Sequence, residues 1–275
     1  MNCPTRPIMR WHGGKWRLAP WIISHFPAHR VYVEPFGGAG SVLLRKPRSY
    51  AEVYNDLDGE AVNLFRMVRD RGHELRALLE VTPFARSEFM ESYEPSEDAL
   101  EQARRTVSRS FMGFGSNAHN RRTGFRSNSN RSGTTPANDW ANYPAALDAI
   151  IERLRGVVIE CRDAMEVIAT HDSQETLIYV DPPYVAGTRD KGSDYKFEMD
   201  DNDHMDLAKF LSDAKGMVIV SGYESKIYEE AYQGWQKVTR AALADGARKR
   251  VEALWINEAA FARLDSKQLA LEIRS

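Results

Sequence analysis

The chain predicts an α/β fold: a mostly parallel sheet flanked by helices and interrupted once by an inserted lobe. Three observations carry that expectation. Short runs rich in Val, Ile and Tyr alternate with helix-length amphipathic stretches, as parallel strands joined by crossovers require. A glycine-rich turn, Phe36-Gly37-Gly38-Ala39-Gly40, hands the first of these runs to a helix, and a later run, Leu177-Ile178-Tyr179-Val180, ends on Asp181-Pro182-Pro183-Tyr184. Between about Thr82 and Tyr143 the alternation stops. The expected division is therefore a sheet-bearing body at 1–81 and 144–275, with the lobe at 82–143.

In chain order, apolar positions Leu18, Trp21, Ile22 and Ile23 predict a helix from about Trp16 to Phe26. Val31 to Glu34 reads as a strand, the glycine turn follows, and Ser41 opens a helix. A second strand, Tyr50 to Tyr54, ends at Asn55-Asp56, and a long helix spans Glu60 to Leu79. The lobe holds helical stretches at Ser87 to Glu91 and Asp98 to Ser110, then a run rich in Gly, Ser, Asn and Arg from Gly113 to Asn138. Its composition alone would allow disorder, but Phe111, Phe114, Phe125 and Trp140 offer aromatic anchors. The α/β pattern resumes with a helix near Pro144 to Leu154, the strand Val157 to Glu160, a helix at Met165 to Ala169 and the strand before Asp181. An acidic loop from Asp190 leads to a helix at Asp203 to Ser212, with Asp203 as its expected cap. The strand Met217 to Val220, a helix at Ser225 to Tyr232 and paired strands Trp235 to Thr239 and Val251 to Ile256 complete the chain, the last two joined through Arg248-Lys249-Arg250.

Composition excludes several classes. Of 275 residues, 43% are hydrophobic and 28% charged, the balance of a globular protein, and no apolar run reaches the about 20 residues that span a bilayer. The first residues lack the apolar stretch of a signal peptide, and two cysteines, Cys3 and Cys161, fit a reducing compartment, so a cytoplasmic location is expected. Neither cysteine has a C-x-x-C partner and the seven histidines are scattered, so spacing assembles no metal site. A net charge of −2 argues against indiscriminate coating of nucleic acid. Charge is nonetheless uneven: from Gln102 to Asn138 there is no Asp or Glu, while Arg104, Arg105, Arg109, Arg121, Arg122, Arg126 and Arg131 fall inside.

Two prolines after a buried strand fix φ and remove two backbone donors, leaving carbonyls free to accept. The Asp181 carboxylate and the Pro182 carbonyl can take the two N–H groups of an exocyclic amine, and Tyr184 can stack on the ring that carries it. This corner predicts an amine methyl-acceptor site. In the glycine turn the missing Cβ atoms let the backbone approach a ligand, and Asp56, at the end of the next strand, stands where a carboxylate meets ribose hydroxyls. A dinucleotide is disfavoured, because G-x-G-x-x-G needs a third glycine where Leu43 stands. S-adenosylmethionine, with a ribose and an adenine but no phosphate, fits better.

Arg10-Trp11-x-Gly13-Gly14-Lys15, Glu34-Pro35-Phe36-x-Gly38-x-Gly40, Asn55-Asp56 and Asp181-Pro182-Pro183-Tyr184 occur in this order. The order resembles that of the Dam-like (D12 class, α-group) DNA adenine N6-methyltransferases. Asp203-His204-x-x-Leu207, Val220-Ser221-Gly222-Tyr223 and Leu254-Trp255-Ile256-Asn257 extend the resemblance over nearly the whole chain outside the lobe. It implies a Rossmann-like S-adenosylmethionine-dependent methyltransferase sheet with an inserted DNA-recognition lobe. By the same resemblance, Trp11, Lys15, Phe36, Gly37, Gly38, Gly40, Asp56, Asp163 and Asp181 contact the cofactor, and Asp181, Pro182, Pro183 and Tyr184 form the catalytic corner.

The expected reaction is direct transfer of a methyl group to N6 of a flipped adenine in double-stranded DNA, without a covalent enzyme intermediate or a metal. Cytosine C5 chemistry would need a Pro-Cys pair, and neither cysteine follows a proline. Cytosine N4 transfer, an RNA adenine substrate and a catalytically silent DNA-binding relative stay open as alternatives, and a phage or restriction-modification setting is compatible with the chain. In the lobe, Arg105, Arg109, Asn117, Asn120, Arg121, Arg122 and Arg126 are the expected DNA contacts, offering donors to phosphates and base edges. A flexible polar loop is the competing reading of this segment. The protein is expected to act as a monomer, with dimerisation on DNA as the other arrangement.

Overall fold

Successive side chains along the strands point to opposite faces of the sheet, and in Val31–Glu34, Ala51–Asn55, Thr176–Val180 and Met217–Tyr223 burial is nearly continuous. The computed structural model describes residues 3–128, 130, 133–188, 195–243 and 249–264; Arg131, Asp190 and Arg248, named above, lie outside them. Seven strands, β1 (Val31–Glu34), β2 (Ala51–Asn55), β3 (Val157–Glu160), β4 (Thr176–Val180), β5 (Met217–Tyr223), β6 (Gln236–Leu243) and β7 (Lys249–Ile256), form one sheet in the order β3-β2-β1-β4-β5-β7-β6. The first five are parallel; β7 runs antiparallel to β5 and pairs with β6. Tyr32, Tyr54, Leu177, Tyr179 and Ile219 pack on one face, and Val33, Val53, Ile178, Val180 and Val218 on the other. Both faces are covered, as parallel sheets require.

The helices are α1 (Ala19–Ser24), α2 (Ser41–Arg45), α3 (Gly59–Val81), α4 (Arg86–Glu91), α5 (Ala99–Met112), α6 (Pro136–Ala141), α7 (Leu147–Leu154), α8 (Ala164–His171), α9 (Asp201–Ser212), α10 (Lys226–Ala231) and α11 (Glu258–Phe261). Helix α1 is shorter than the Trp16 to Phe26 expected. Pro20 lies in its first turn, where a missing N–H costs nothing, and the N–H groups of His25 and Phe26 tighten onto the carbonyls of Ile22 and Ile23 before Pro27. The cap of α9 also differs: Asp200 takes the Asp203 N–H, and the Asp203 carboxylate returns the bond to the Asp200 N–H at 2.8 Å, a capping box one turn wide.

The inserted segment shares the sheet's core. Leu100, Ala103, Val107 and Phe111 of α5 belong to the same buried cluster as Leu64 and Val68 of α3. From Gly113 onward the chain folds back through an antiparallel bridge between Gly113 and Phe125, and Phe125 packs on Phe84 and Phe89 with ring centroids at 5.1 and 5.8 Å. Trp140 donates to the Thr82 carbonyl at 2.8 Å. Phe114 is no anchor, being 73% exposed.

Candidate active site

The strand order determines where a ligand can sit. From β1 the chain winds to one side through β2 and β3, then crosses to β4 and β5 on the other. The loops after β1 and β4 therefore diverge, and open α/β sheets bind ligands outside the carboxyl ends of the strands at such a switch point. A crevice of about 950 Å³, solvent mouth included, lies there. Trp11, Lys15, Phe36, Gly37, Gly38, Asp56, Asp181, Pro182 and Pro183 line it. Gly40, Asp163 and Tyr184 are not among the lining residues. Gly40 is the N-cap of α2 at φ 56°, and Asp163 caps α8 by accepting from the Met165 and Glu166 N–H groups, beside the lining residue Ala164.

The glycine turn is held from both sides. A Cβ on Gly38 would lie 2.6 Å from Trp11 Nε1, and one on Gly37 would enter the Tyr54 ring. Asp56 accepts from the Gly38 N–H at 2.7 Å and from the Asp58 N–H at 2.8 Å. Burial raises its pKa against the pull of those two donors. Glu34, also lining the crevice, accepts from Tyr32 Oη at 2.7 Å and the Leu43 N–H at 2.9 Å; burial outweighs both and pushes it up to about 8.

Beneath the turn after β4, Lys15 Nζ reaches Asp181 Oδ1 at 2.8 Å, Tyr184 Oη at 2.8 Å, the Gly13 carbonyl at 2.9 Å and Glu252 Oε1 at 3.7 Å. Burial opposes its charge, yet the two carboxylates overcome that and hold the ammonium well above its usual pKa. Asp181 and Glu252 are themselves raised by burial, with Lys15 pulling the other way. Lys15, expected as a cofactor contact, lines the crevice while its ammonium holds the Asp181 carboxylate. Tyr184, expected to lie against the base, is buried, with its ring stacked on Tyr223 at 4.1 Å and 7°. Glu252 was missed by the sequence reading. A single acid inside the apolar run Val251 to Ile256 was the available signal.

Residues 117–121 reach the edge of the crevice. The turn at 117–121 brings Asn120 into the lining and sets His119 Nε2 2.5 Å from Asp58 Oδ2, with the His119 ring 4.7 Å from that of Trp11. Lys196 joins Asp58 at 3.1 Å from the loop before α9. Burial would raise Asp58, but His119 and Lys196 hold it far below the usual carboxylate range. Asp58, Glu60 and His119 bring ligand atoms within 4.8 Å of one another, a grouping no sequence spacing shows. Arg109 and Lys196 already pair with its carboxylates, so the cluster reads as an ion-pair network.

The arginines of α5 face inward. Arg105 binds Glu101 and Glu91, and Arg104 binds Glu101 and Glu88. Arg109 is buried between Glu60, at 2.5 Å, and the Ser92 carbonyl. Arg105 and Arg109, expected as DNA contacts, thus already donate to protein partners, Glu101 and Glu91 for the first and the more distant Glu60 for the second. Asn117 is buried as well, its carbonyl accepting from the Asn120 and Arg121 N–H groups. Arg121 and Arg122 are exposed, and half-buried Arg126 donates to the Phe111 carbonyl.

Sheet order, the antiparallel β6–β7 pair and the crevice together define a Rossmann-like methyltransferase. The chain belongs to the D12 class N6 adenine-specific DNA methyltransferase family, whose model it matches over residues 11–245. It is similar to the DNA adenine methylases of Vibrio cholerae serotype O1, 25% identical over 271 residues covering 90% of this chain and 94% of the relative, and of Escherichia coli K12, 26% identical over 271 residues covering 91% and 94%. A DNA adenine methylase of Serratia marcescens is 37% identical over 67 residues, 24% of each chain. The protein is thus an enzyme of adenine methylation in DNA. No helix among the described residues is long and apolar enough to cross a membrane.

Proposed function

We propose that the protein methylates N6 of an adenine flipped out of double-stranded DNA, acts as a monomer, and takes its methyl group from S-adenosylmethionine. The observation that carries this is the meeting, in one crevice at the switch point, of the Phe36 to Gly38 turn and Asp56 with Asp181, Pro182 and Pro183. The donor set suits this cofactor: a carboxylate for ribose hydroxyls, apolar walls from Phe36 and Leu57, and a glycine cradle that any Cβ would fill. When bound, S-adenosylmethionine supplies an electrophilic sulfonium methyl group.

The residues of this chain position the acceptor. Asp181 and Pro182 both line the crevice, so the Asp181 carboxylate is offered to one N6–H and the Pro182 carbonyl to the other. Accepting both draws the nitrogen lone pair out of conjugation and aims it along one line. Pro183 and Tyr184 hold the turn rigid, and Lys15 fixes the carboxylate from beneath. Asp163, at the rim, is kept as an adenine-edge contact for the cofactor. Arg121, Arg122 and Arg126, with Asn120 at the crevice edge, are the lobe residues best placed to meet the duplex.

The test is mass spectrometry of nucleosides from unmethylated plasmid DNA incubated with protein and S-adenosylmethionine, beside Asp181→Ala. N6-methyladenine is expected from the unmutated protein, with the rate falling by at least about a hundredfold in the variant. N4-methylcytosine would reassign the base, and methylation confined to added RNA would reassign the substrate.

A further inference from the structure

Lys15 is one cation among two carboxylates. Asp181 comes from the turn after β4, while Glu252 comes from β7, far along the chain on the antiparallel side of the sheet. Glu252 is 1% exposed and is held on two sides: Ser221 Oγ of β5 donates to Oε1 at 3.0 Å, and Tyr184 Oη lies 3.4 Å from Oε2. In the β5–β7 register Glu252 stands opposite Tyr223, the residue on which Tyr184 stacks. Lys15 and Tyr184 thus tie Glu252 to the Asp181 corner, although Glu252 is not among the residues lining the crevice.

Such a residue is costly to keep. A buried carboxylate without full compensation is strongly disfavoured, and replacement of buried charges by apolar groups is often neutral or stabilising. With Lys15 shared, the trio carries one negative charge in excess. We propose that Glu252 is a positioning residue for the transfer: by sharing the Lys15 ammonium, which stays 2.8 Å from Asp181 and 3.7 Å from Glu252, it offsets part of that cation's pull on Asp181, so that Asp181 can accept the proton the amine must lose. This rests on the function proposed above. In that reaction the N6 lone pair forms the new N–C bond, the C–S bond breaks with its electrons going to sulfur, and the cationic N6 gives one proton to the Asp181 carboxylate.

Among the described residues, Glu34 of β1, Tyr179 of β4, Tyr184 after it, Ser221 of β5, Tyr195 of the loop before α9 and Tyr228 of α10 act on the trio, and Arg240 of β6 pairs with Glu252 in the strand register but is exposed, over Trp21. Removing the Glu252 charge leaves Lys15 a single carboxylate partner, and the Asp181 pKa must fall.

The experiment is Glu252→Gln, which keeps the volume and an acceptor for Ser221. In the cofactor-free protein, infrared difference spectra across pH, with Asp181→Asn to assign the band, are expected to show Asp181 titrating at lower pH in Glu252→Gln than in the unmutated chain. In single-turnover methyl transfer the rate is expected to fall about tenfold to a hundredfold, its acid limb moving to lower pH, with cofactor affinity changed less than about twofold. Glu252→Asp is expected to restore part of the rate. An unchanged Asp181 titration overturns the proposal, as does a rate loss that only follows a lower Tm with the pH profile unmoved. If the unmutated protein makes no N6-methyladenine, the proposed function fails, and the infrared titration still decides whether Glu252 sets the state of Asp181.

Discussion

Lys15 and Arg104 each hold two carboxylates, Asp181 and Glu252 in one case and Glu88 and Glu101 in the other, yet Glu101 responds in the opposite direction from Asp181 and Glu252. Hydrogen bonds from Arg104 and then Arg105 drive Glu101 down to about 2, because these side chains are only partly buried and two guanidiniums serve one acid. Burial raises Asp181 and Glu252 instead, with one ammonium shared between them. Cation–carboxylate pairing is therefore a brace on α5 and a shared, desolvated charge beside Asp181. What separates them is desolvation and the ratio of cations to acids.

The largest test of that contrast is Lys15→Met, which leaves two acids buried without a counter-ion. Urea unfolding is expected to show a loss of about 3–5 kcal/mol. The loss should grow as pH rises, since acids whose folded pKa exceeds the unfolded value lose stability as they are forced to ionise. Equal loss at all pH values would mean the acids are not the cause. Next is Glu34, raised to about 8 against a usual 4.5. Its folded state holds the proton more tightly, so stability should decline as pH climbs from about 4.5 toward about 8, and Glu34→Gln should flatten that slope in melts recorded across the interval. Arg104→Ala tests the braced side: a loss of about 1–2 kcal/mol is expected, within the range for partly buried pairs, with duplex affinity unchanged. The smallest effects belong to Arg121→Ala and Arg122→Ala. Each should leave Tm unmoved while lowering the salt dependence of duplex binding by about one unit of slope. If Arg104→Ala changes that slope and Arg121→Ala does not, the division between brace and contact is reversed.

The sequence by itself determined the alternation of strands and helices, the two turns that meet in the crevice and the family they resemble. Each of these is a local pattern: a strand ending on Asp181-Pro182-Pro183, or glycines where a Cβ would strike Trp11 or Tyr54, leaves its mark within a few residues. The end of α1 was misjudged because the weight of Pro20 depends on which turn it occupies, and the Asp203 cap because a capping box has two acidic members. Only the tertiary structure decided the fate of the charges. Glu60, Glu88, Glu91 and Glu101 lie outside the acid-free stretch yet fold against its arginines, and His119 and Glu252 reach Asp58 and Lys15 from distant parts of the chain. The field at a charge depends on distance through space and on the depth of burial around it, and neither is written in the spacing of residues along the chain.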